Sequence, residues 1–309
     1  MLGKYKPSSL QGNFKRNKYF EGWFQKVYST QHKSSFIIIY GYATRNSIDT
    51  FGFIQVLIPS KLPEIIYFSK NEVYCDPSQH IVCMGNNILT THVIKIKTND
   101  LLIDLYLKNN NTIKTFKNSM GYHYFIPYLP CYHSVLNSSH YVSGKIDYMQ
   151  ASYSLNNESG YLEKNWGTSF PENYFWLHAV DPNNSQVSLL FSQAEIKWLG
   201  NKFIRHIGHF RFDGKEIDLR NYNKINISNL IFSDSNYEFR IISRKIQMDI
   251  SIITRNKVLF KGPENGSLTR NILHHTDAII NINLKEDNKI RVFQLVGNFE
   301  NIGSNKIYR

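Results

Sequence analysis

Apolar and polar residues alternate in short runs along most of this chain, and almost nowhere at the three- and four-residue spacing of a helix. KYFEGWFQKVYS (18–29), SFIIIYGYA (35–43), TFGFIQVLI (50–58) and HYVSGKIDYM (140–149) read as strands bounded by turn-forming clusters. THVIKIKT (91–98) and LLIDLYLK (101–108), joined through TND, predict a hairpin. NYFWLHAV (173–180), SQVSLLFSQAEIKWL (185–199) and KFIRHIGHFRF (202–212) continue the pattern, and Asp213-Gly214 then predicts a tight turn into KEIDLR (215–220). Further strands are expected at 224–232, 237–244, 246–255, 277–285 and 290–297. The one helical suggestion is a turn at 268–275. Hairpins without βαβ alternation predict an all-β chain of antiparallel barrels or sandwiches with little helix. Asn156-Asn157-Glu158-Ser159-Gly160 is the most linker-like stretch near the middle, so two β-domains are expected, 1–155 and 156–309.

Composition supports this picture. The apolar fraction of 42% suffices for real cores, and an aromatic fraction of 14% suits strands and aromatic-lined spaces better than helical bundles. A formal charge of +12 favours anionic surroundings, yet no block of five or six basic residues occurs. Lys15, Arg16 and Lys18 come nearest, and a solvated Lys-rich surface explains most of the charge. Three cysteines (Cys75, Cys83, Cys131) make no paired framework, which fits a reducing compartment. No apolar signal core opens the chain, and FIIIY at 36–40 is far too short to span a bilayer, so a cytoplasmic protein is expected.

Several chemistries lack their motifs. No Gly-rich loop leads from a strand into a helix, and there is no G-x-S-x-G elbow. His206 and His209 lie three apart on one strand, and His274-His275 are adjacent, so each pair points to opposite faces and makes a poor metal site. Chemistry without metal or cofactor, or simple binding, is the expectation.

Three segments concentrate unusual residues: QGNFKRNKYFEGWF (11–24), GYHYFIPYLPCYHSVL (121–136) and YLEKNWGTSFPENYFWL (161–177). Through FEGWF (20–24), PYLPCYHSV (127–135), GYLEKNWGTSFP (160–171) with YFWL after it, and GPENGSL (262–268), the chain resembles the tocopherol cyclase family and its bacterial relatives. That resemblance implies two lipocalin-like β-domains with a hydrophobic cavity. It also implies cofactor-free closure of a chromanol ring on a prenylated quinol; related carotenoid hydratases add water to an isoprenoid double bond. Such chemistry protonates an alkene and lets an oxygen capture the tertiary cation. It needs a proton donor, aromatic faces and a wall that excludes water. Glu21, Glu163 and His133 are the candidate donors; Trp23, Tyr132, Trp166 and Trp176 offer π-faces, and Asn165 can hold a substrate hydroxyl. The chain departs from the family at Pro130, where some relatives carry an acid, and at His274-His275, where relatives tend to have one. Relatives vary between Asp and Asn at the position of Asn165.

Each candidate also has a structural reading. Trp23 can plug a barrel end under a basic side chain, with Gly22 permitting close approach and Glu21 paired to a lysine or arginine. Glu163 and Lys164 point opposite ways, so one can enter a cavity while its neighbour is solvated; a Glu163 held by arginine would be charged. His133 can be a hydrogen-bonded core or turn residue, and Pro171 fixes a turn in SFPENY. Three functions follow: an enzyme on a lipophilic prenylquinol or isoprenoid, a carrier for an apolar small molecule, and single-stranded nucleic-acid binding. The aromatics alternate as core residues, which counts against nucleic acid. A prenylated substrate would further imply peripheral membrane contact through a basic rim at Lys15, Arg16 and Lys18.

Overall fold

The structure, a computed structural model, describes residues 7, 10–12, 17–46, 48–76, 81–112, 120–287 and 289–303. Its first antiparallel sheet opens with β1 (Tyr19–Ser29), β2 (Ser34–Asn46), β3 (Asp49–Leu57) and β4 (Glu64–Ser69). Short strands follow, β5 (Val73–Asp76), β6 (Ile81–Met84), β7 (Asn87–Leu89) and β8 (Val93–Lys97), then the long β9 (Leu101–Thr112), β10 (Cys131–Tyr148) and β11 (Ala151–Gly167). The order is β4-β3-β2-β1-β11-β10-β9-β8-β7-β6-β5, so the last strand returns to pair with the first. The second sheet repeats this plan. It holds β12 (Tyr174–Val180), β13 (Ser188–Trp198), β14 (Asn201–Phe212), β15 (Lys215–Asp218) and β16 (Asn226–Phe232). It closes with β17 (Asn236–Ile242), β18 (Ile246–Ile253), β19 (Lys257–Glu264), β20 (Ser267–Glu286) and β21 (Lys289–Ile302). Here β12 pairs with both β13 and β21, and β19 pairs with β20 beside the main path. The chain is all-β, built of two lipocalin-like antiparallel domains.

Each sheet wraps its own core. Trp23, Ile38, Tyr40, Ile54 and Leu105 fill the first, and Phe175, Phe191, Phe210, Phe239 and Phe299 the second. A third cluster lies between the sheets, with Phe24, Ile37, Leu57, Tyr161, Trp176 and Leu190. Strands β1 and β12 are therefore buried along their whole length, one face turned into their own sheet and the other against the neighbour. This is why the sequence from 161 to 177 alternates so poorly: both faces of the strand are interior.

Two expectations change. Residues 156–160 are no linker; the expected boundary at 155/156 falls inside β11, where Gly160 pairs with Val27 and with His140. Its polar residues have local work: Glu158 accepts from Ser29 Oγ at 2.9 Å and from the Thr30 amide at 3.0 Å. The sheets are joined instead at 168–173, where Pro171 lies in the expected turn. The suggested helical turn at 268–275 is part of β20, whose residues alternate between buried and exposed over that stretch. The Asp213-Gly214 turn forms as expected, with Phe212 opposite Lys215 and φ of +49° and +71°.

GPENGSL is a clasp. Asn265 and Gly266 make the β19–β20 turn with φ of +49° and +73°. A Cβ on Gly266 would stand 2.1 Å from the Thr44 carbonyl oxygen, so only glycine lets this turn lie against β2. The Gln55 side chain adds a second bridge, donating to the Lys261 carbonyl at 2.8 Å and accepting from its amide at 2.9 Å.

One end of the first sheet is closed around an ion pair. Lys164 Nζ meets Glu21 Oε1 at 2.5 Å, both side chains fully buried. Glu21 also accepts from the amides of Gln11 and Gly12, both at 2.8 Å, and from the hydroxyls of Tyr19 and Tyr42 at 2.9 and 3.0 Å. Lys164 donates to the Pro7 carbonyl at 3.1 Å, and its ammonium lies 4.8 Å from the Trp23 ring and 5.4 Å from Trp166. Trp23 thus sits under a basic side chain, and Glu163 and Lys164 are both interior, where one of the two was expected in solvent. Burial alone would raise the Glu21 carboxyl's pKa; Lys164 and the donors around it outweigh that and hold it below its ordinary value.

Removing one partner leaves the other charge buried alone. Glu21→Gln and Lys164→Met are each expected to cost about 3–5 kcal/mol in urea unfolding, with the double variant losing less than their sum. Because the Glu21 pKa is lowered on folding, its contribution is complete above the unfolded value near 4.5 and lost as pH falls through the lowered folded value. Glu21→Gln should correspondingly flatten the acid side of the stability profile.

Candidate functional site

The two sheets do not meet flush. In the pairing of β1 with β11, Gly22 stands opposite Asn165, Phe24 opposite Glu163 and Lys26 opposite Tyr161, all facing the second sheet. Gly22 has no side chain to fill the space in front of Asn165; a Cβ there would find only ordinary contacts, 3.4 Å from the Tyr40 carbonyl and 3.5 Å from Phe53. The result is a cavity of about 160 Å³ between the sheets, near the ~150 Å³ of an apolar cavity that takes up benzene. Phe20, Phe24, Phe53, Phe170, Trp176 and Phe260 make its aromatic wall. The segment 120–131 and Arg205 of β14 reach it from one side and the 168–171 joint from another.

Into this wall the first sheet places a hydrogen-bonded group. His133 of β10 lies opposite Asn165, one pleat from Glu163. Its Nε2 meets Glu163 Oε2 at 2.8 Å; Tyr161 Oη donates to the same oxygen at 2.7 Å, and Asn165 Nδ2 donates to Oε1 at 3.0 Å. Burial would raise the Glu163 pKa, but His133, Tyr161 and Asn165 together hold it below the ordinary value. Glu163 is therefore a carboxylate, and as an acceptor it takes a hydrogen bond from His133 Nε2. Burial and the neighbouring carboxylate push the Tyr161 pKa far up, so it stays a phenol. Behind this group, Lys26 reaches across to donate to the His178 carbonyl of β12 at 3.1 Å. Burial lowers the Lys26 pKa to about 7, against the pull of Glu163.

The candidate residues separate accordingly. Glu163, His133, Asn165 and Trp176 come together on the cavity wall. Trp23 borders it, while its ring stacks on Tyr40 at a centroid distance of 5.5 Å. Tyr132 and Trp166 stack on each other at 5.7 Å in a cluster with Met120, Tyr124 and Leu129, and Tyr132 Oη donates to the Ile126 carbonyl at 2.7 Å. They support the 120–131 segment. Glu21 belongs to the closed barrel end described above. Trp176 Nε1 is buried without a hydrogen-bond partner.

The second sheet supplies what the sequence did not reveal. Glu300 of β21 also lines the cavity, accepting from His274 Nδ1 at 2.7 Å and from Tyr174 Oη at 2.7 Å. The β20–β21 register shifts between His275 and Ala278; without the shift His275 would face Glu300. His275 instead turns to Tyr237 and Phe299 inside the second sheet, so the adjacent histidines do diverge. Among the described residues no cluster of three or more His, Cys, Asp or Glu is arranged to hold a metal ion. The three cysteines are free, and Cys131 lines the cavity as a thiol whose pKa burial raises. No helix of the described residues is long and apolar enough to cross a membrane.

Residues 106–210 match the protein family described as tocopherol cyclase-like. No curated protein matches the chain in sequence. Among solved structures it is similar to CghA determined with Sch210972 (TM-score 0.61, 8% identity, 92% of this chain and 89% of that one). It is also similar to a protein described as AttH from Nitrosomonas europaea (0.54, 11%, 93% and 92%). Kievitone hydratase from Nectria haematococca aligns with a TM-score of 0.50 at 10% identity over 96% and 94% of the two chains. At these identities the shared property is the fold. PYLPCYHSV and GYLEKNWGTSFP lie inside the matched residues and FEGWF outside them, and this chain is similar to the tocopherol cyclase-like family over the segment that holds His133, Glu163 and Asn165.

Proposed function

We propose that the protein is a cofactor-free cyclase- or hydratase-like enzyme that protonates a double bond of a lipophilic prenylquinol or isoprenoid. The observation that carries this reading is the His133–Glu163 pair, set in an aromatic cavity between the sheets. The tocopherol cyclase-like match and a fold neighbour named as a hydratase point the same way.

The His133 imidazolium gives its proton to the less substituted alkene carbon, and the π electrons form the new C–H bond. The neighbouring carbon becomes a tertiary cation. An internal phenol oxygen captures it to close a ring, or water captures it to hydrate the bond, and the oxonium then loses a proton. Glu163 remains ionised throughout and holds the imidazole in place. Phe24 and Trp176 turn π-density toward the cation, and the apolar wall keeps stray water away. Asn165, fixed through Glu163, orients a substrate hydroxyl.

A second reading has its own support. Both motif carboxylates, Glu21 and Glu163, are held below their ordinary pKa values by partners, as expected of a structural seam in a carrier. Incubation with a panel of prenylquinols and acyclic carotenoids separates the two. Turnover appears as an isomer of unchanged mass or as gain of one water; saturable binding without product establishes the carrier. For the enzyme, His133→Gln should lower kcat/KM by ~10²–10⁴.

Occupancy can be checked without turnover. Gly22→Val should keep stability within about 1 kcal/mol while the added side chain displaces an apolar fluorescent probe from the cavity. Unchanged probe uptake would move the site elsewhere.

The reading extends to membrane contact. Lys15 and Arg16 lie outside the described residues, and Lys18 is exposed. Exposed Tyr122, Phe125 and Tyr128 sit beside His123, Ile126 and Leu129, which border the cavity. These rings suit insertion at a lipid interface, where a prenylated substrate resides. Phe125→Ser with Tyr128→Ser is expected to abolish flotation with phosphatidylglycerol-containing liposomes; flotation equal to wild type would reject this surface.

A further inference from the structure

The cavity has a second polar wall. Four hydrogen bonds run in sequence from the first sheet into the second. Ser35 Oγ donates to Asn298 Oδ1 at 2.8 Å, and the amide nitrogen faces His274. Asn298 Nδ2 donates to His274 Nε2 at 2.9 Å, so that ring nitrogen is an acceptor and carries no hydrogen. The His274 proton is therefore on Nδ1, which donates to Glu300 Oε1 at 2.7 Å, and Tyr174 Oη donates to Glu300 Oε2 at 2.7 Å. Burial and the adjoining carboxylate push the Tyr174 pKa far up, so it remains a donor. Asn298 and His274 are fully buried, whereas Glu300 lines the cavity. The chain of donors thus ends on a carboxylate that faces the cavity.

On the first wall the Glu163 carboxylate accepts from His133, Tyr161 and Asn165. Trp176 lies between the two walls, its ring centroid 6.4 Å from Tyr161 and 6.1 Å from His274.

We propose that Glu300, held by His274 and Tyr174, is the reaction's proton acceptor and the counter-charge to its cationic intermediate, opposite the His133–Glu163 donor. This assignment rests on the acid-catalysed addition proposed above and completes it. The donor wall gives one proton to carbon. As the phenol or water oxygen bonds to the cation, its O–H bond breaks and that proton passes to Glu300. The net change is isomerisation or addition of one water. Between turnovers the protonated Glu300 releases its proton to solvent and the His133 imidazole takes one up, so no oxidant or reductant is involved.

The charged and titratable groups around Glu300 are His274 of β20, Tyr174 of β12 and, beyond Tyr174, Arg270, whose guanidinium lies 5.8 Å from the Tyr174 ring. Toward the cavity they are His133, Glu163, Cys131, His123, Arg205 and Lys261. Two measurements test the assignment. With a substrate that turns over, Glu300→Gln should lower kcat/KM at least 100-fold at its optimum. The loss should fall on kcat with KM unchanged, because the acceptor acts only after the substrate is bound. A loss carried wholly by KM would overturn the proposal. Tyr174→Phe, should Glu300→Gln fail to fold, removes one donor to the carboxylate and should lower kcat with KM kept; a change in KM alone counts against it.

The second measurement needs no turnover. N,N-dimethyloctylammonium resembles a tertiary cation on an apolar chain, and octanol is its neutral control. By calorimetry, Glu300→Gln should weaken the ammonium at least tenfold and leave octanol unchanged. Equal loss of both probes, or loss of neither, would overturn the role of Glu300. If no substrate in the panel reacts while ammonium binding still depends on Glu300, the catalytic reading fails and the cation site stands.

Discussion

The pleat of β11 is the constraint on which this molecule turns. Glu163 and Lys164 are neighbours in the chain, so they leave the strand on opposite faces, and here both faces are interior. Lys164 must find its partner inside the first barrel, and Glu163 must find its own between the two sheets. The first demand is met by Glu21 on β1 and the second by His133 on β10, the two strands that flank β11. A slip of one residue in either pairing would exchange the faces and leave two buried charges without counter-ions. Register is thereby specified by charge as well as by apolar pattern.

From that requirement the site's location follows. Lipocalin-type barrels are expected to hold ligands inside the barrel, yet the first barrel's interior is filled with Trp23, Tyr40 and the aliphatic core, and its end is sealed by the Glu21–Lys164 pair. The open space lies where the outer faces of β1 and β11 meet those of β12 and β13. Glycine at 22 leaves room there, and the ties at Gln55–Lys261, Lys26–His178 and Gly266 hold the sheets apart at a fixed distance. A cavity between rigid sheets keeps its polar groups aimed at whatever enters, which is what preorganised charge stabilisation needs.

The all-β class, most strands, the Asp213-Gly214 turn and the clustering of chemistry in three motifs were legible because alternation and turn residues are local signals. The boundary between domains was not. NNESG looks like a linker because it is polar, and it is polar because Glu158 serves the neighbouring β1 turn at Ser29 and Thr30. Glu163, His133 and Asn165 could be singled out by motif density, but their mutual contact depends on three irregularities in the β10–β11 ladder. Glu300 left no such signal. It sits in VGNFENI without another acid or histidine nearby, and only a register shift in a long hairpin sets it against His274.

Lys26 shows how the buried charges constrain one another. Its ammonium is fully interior and its one carbonyl partner, at His178, offers no compensating charge, so burial draws its pKa to about 7. Glu163 works against that shift, and the same attraction favours the ionised state of Glu163. The amine therefore reinforces the carboxylate from behind while His133 faces it from the side. His178, beside Lys26, cannot share the charge: burial and then Lys26 hold its pKa well below the ordinary histidine value. Its ring stacks on Tyr161 at 3.7 Å, which locks the phenol that donates to Glu163. Lys26 and His178, both outside the recognisable motifs, thus bear on the ionisation of Glu163 from opposite sheets. The proton inventory of the cavity is a property of the assembled pair of barrels.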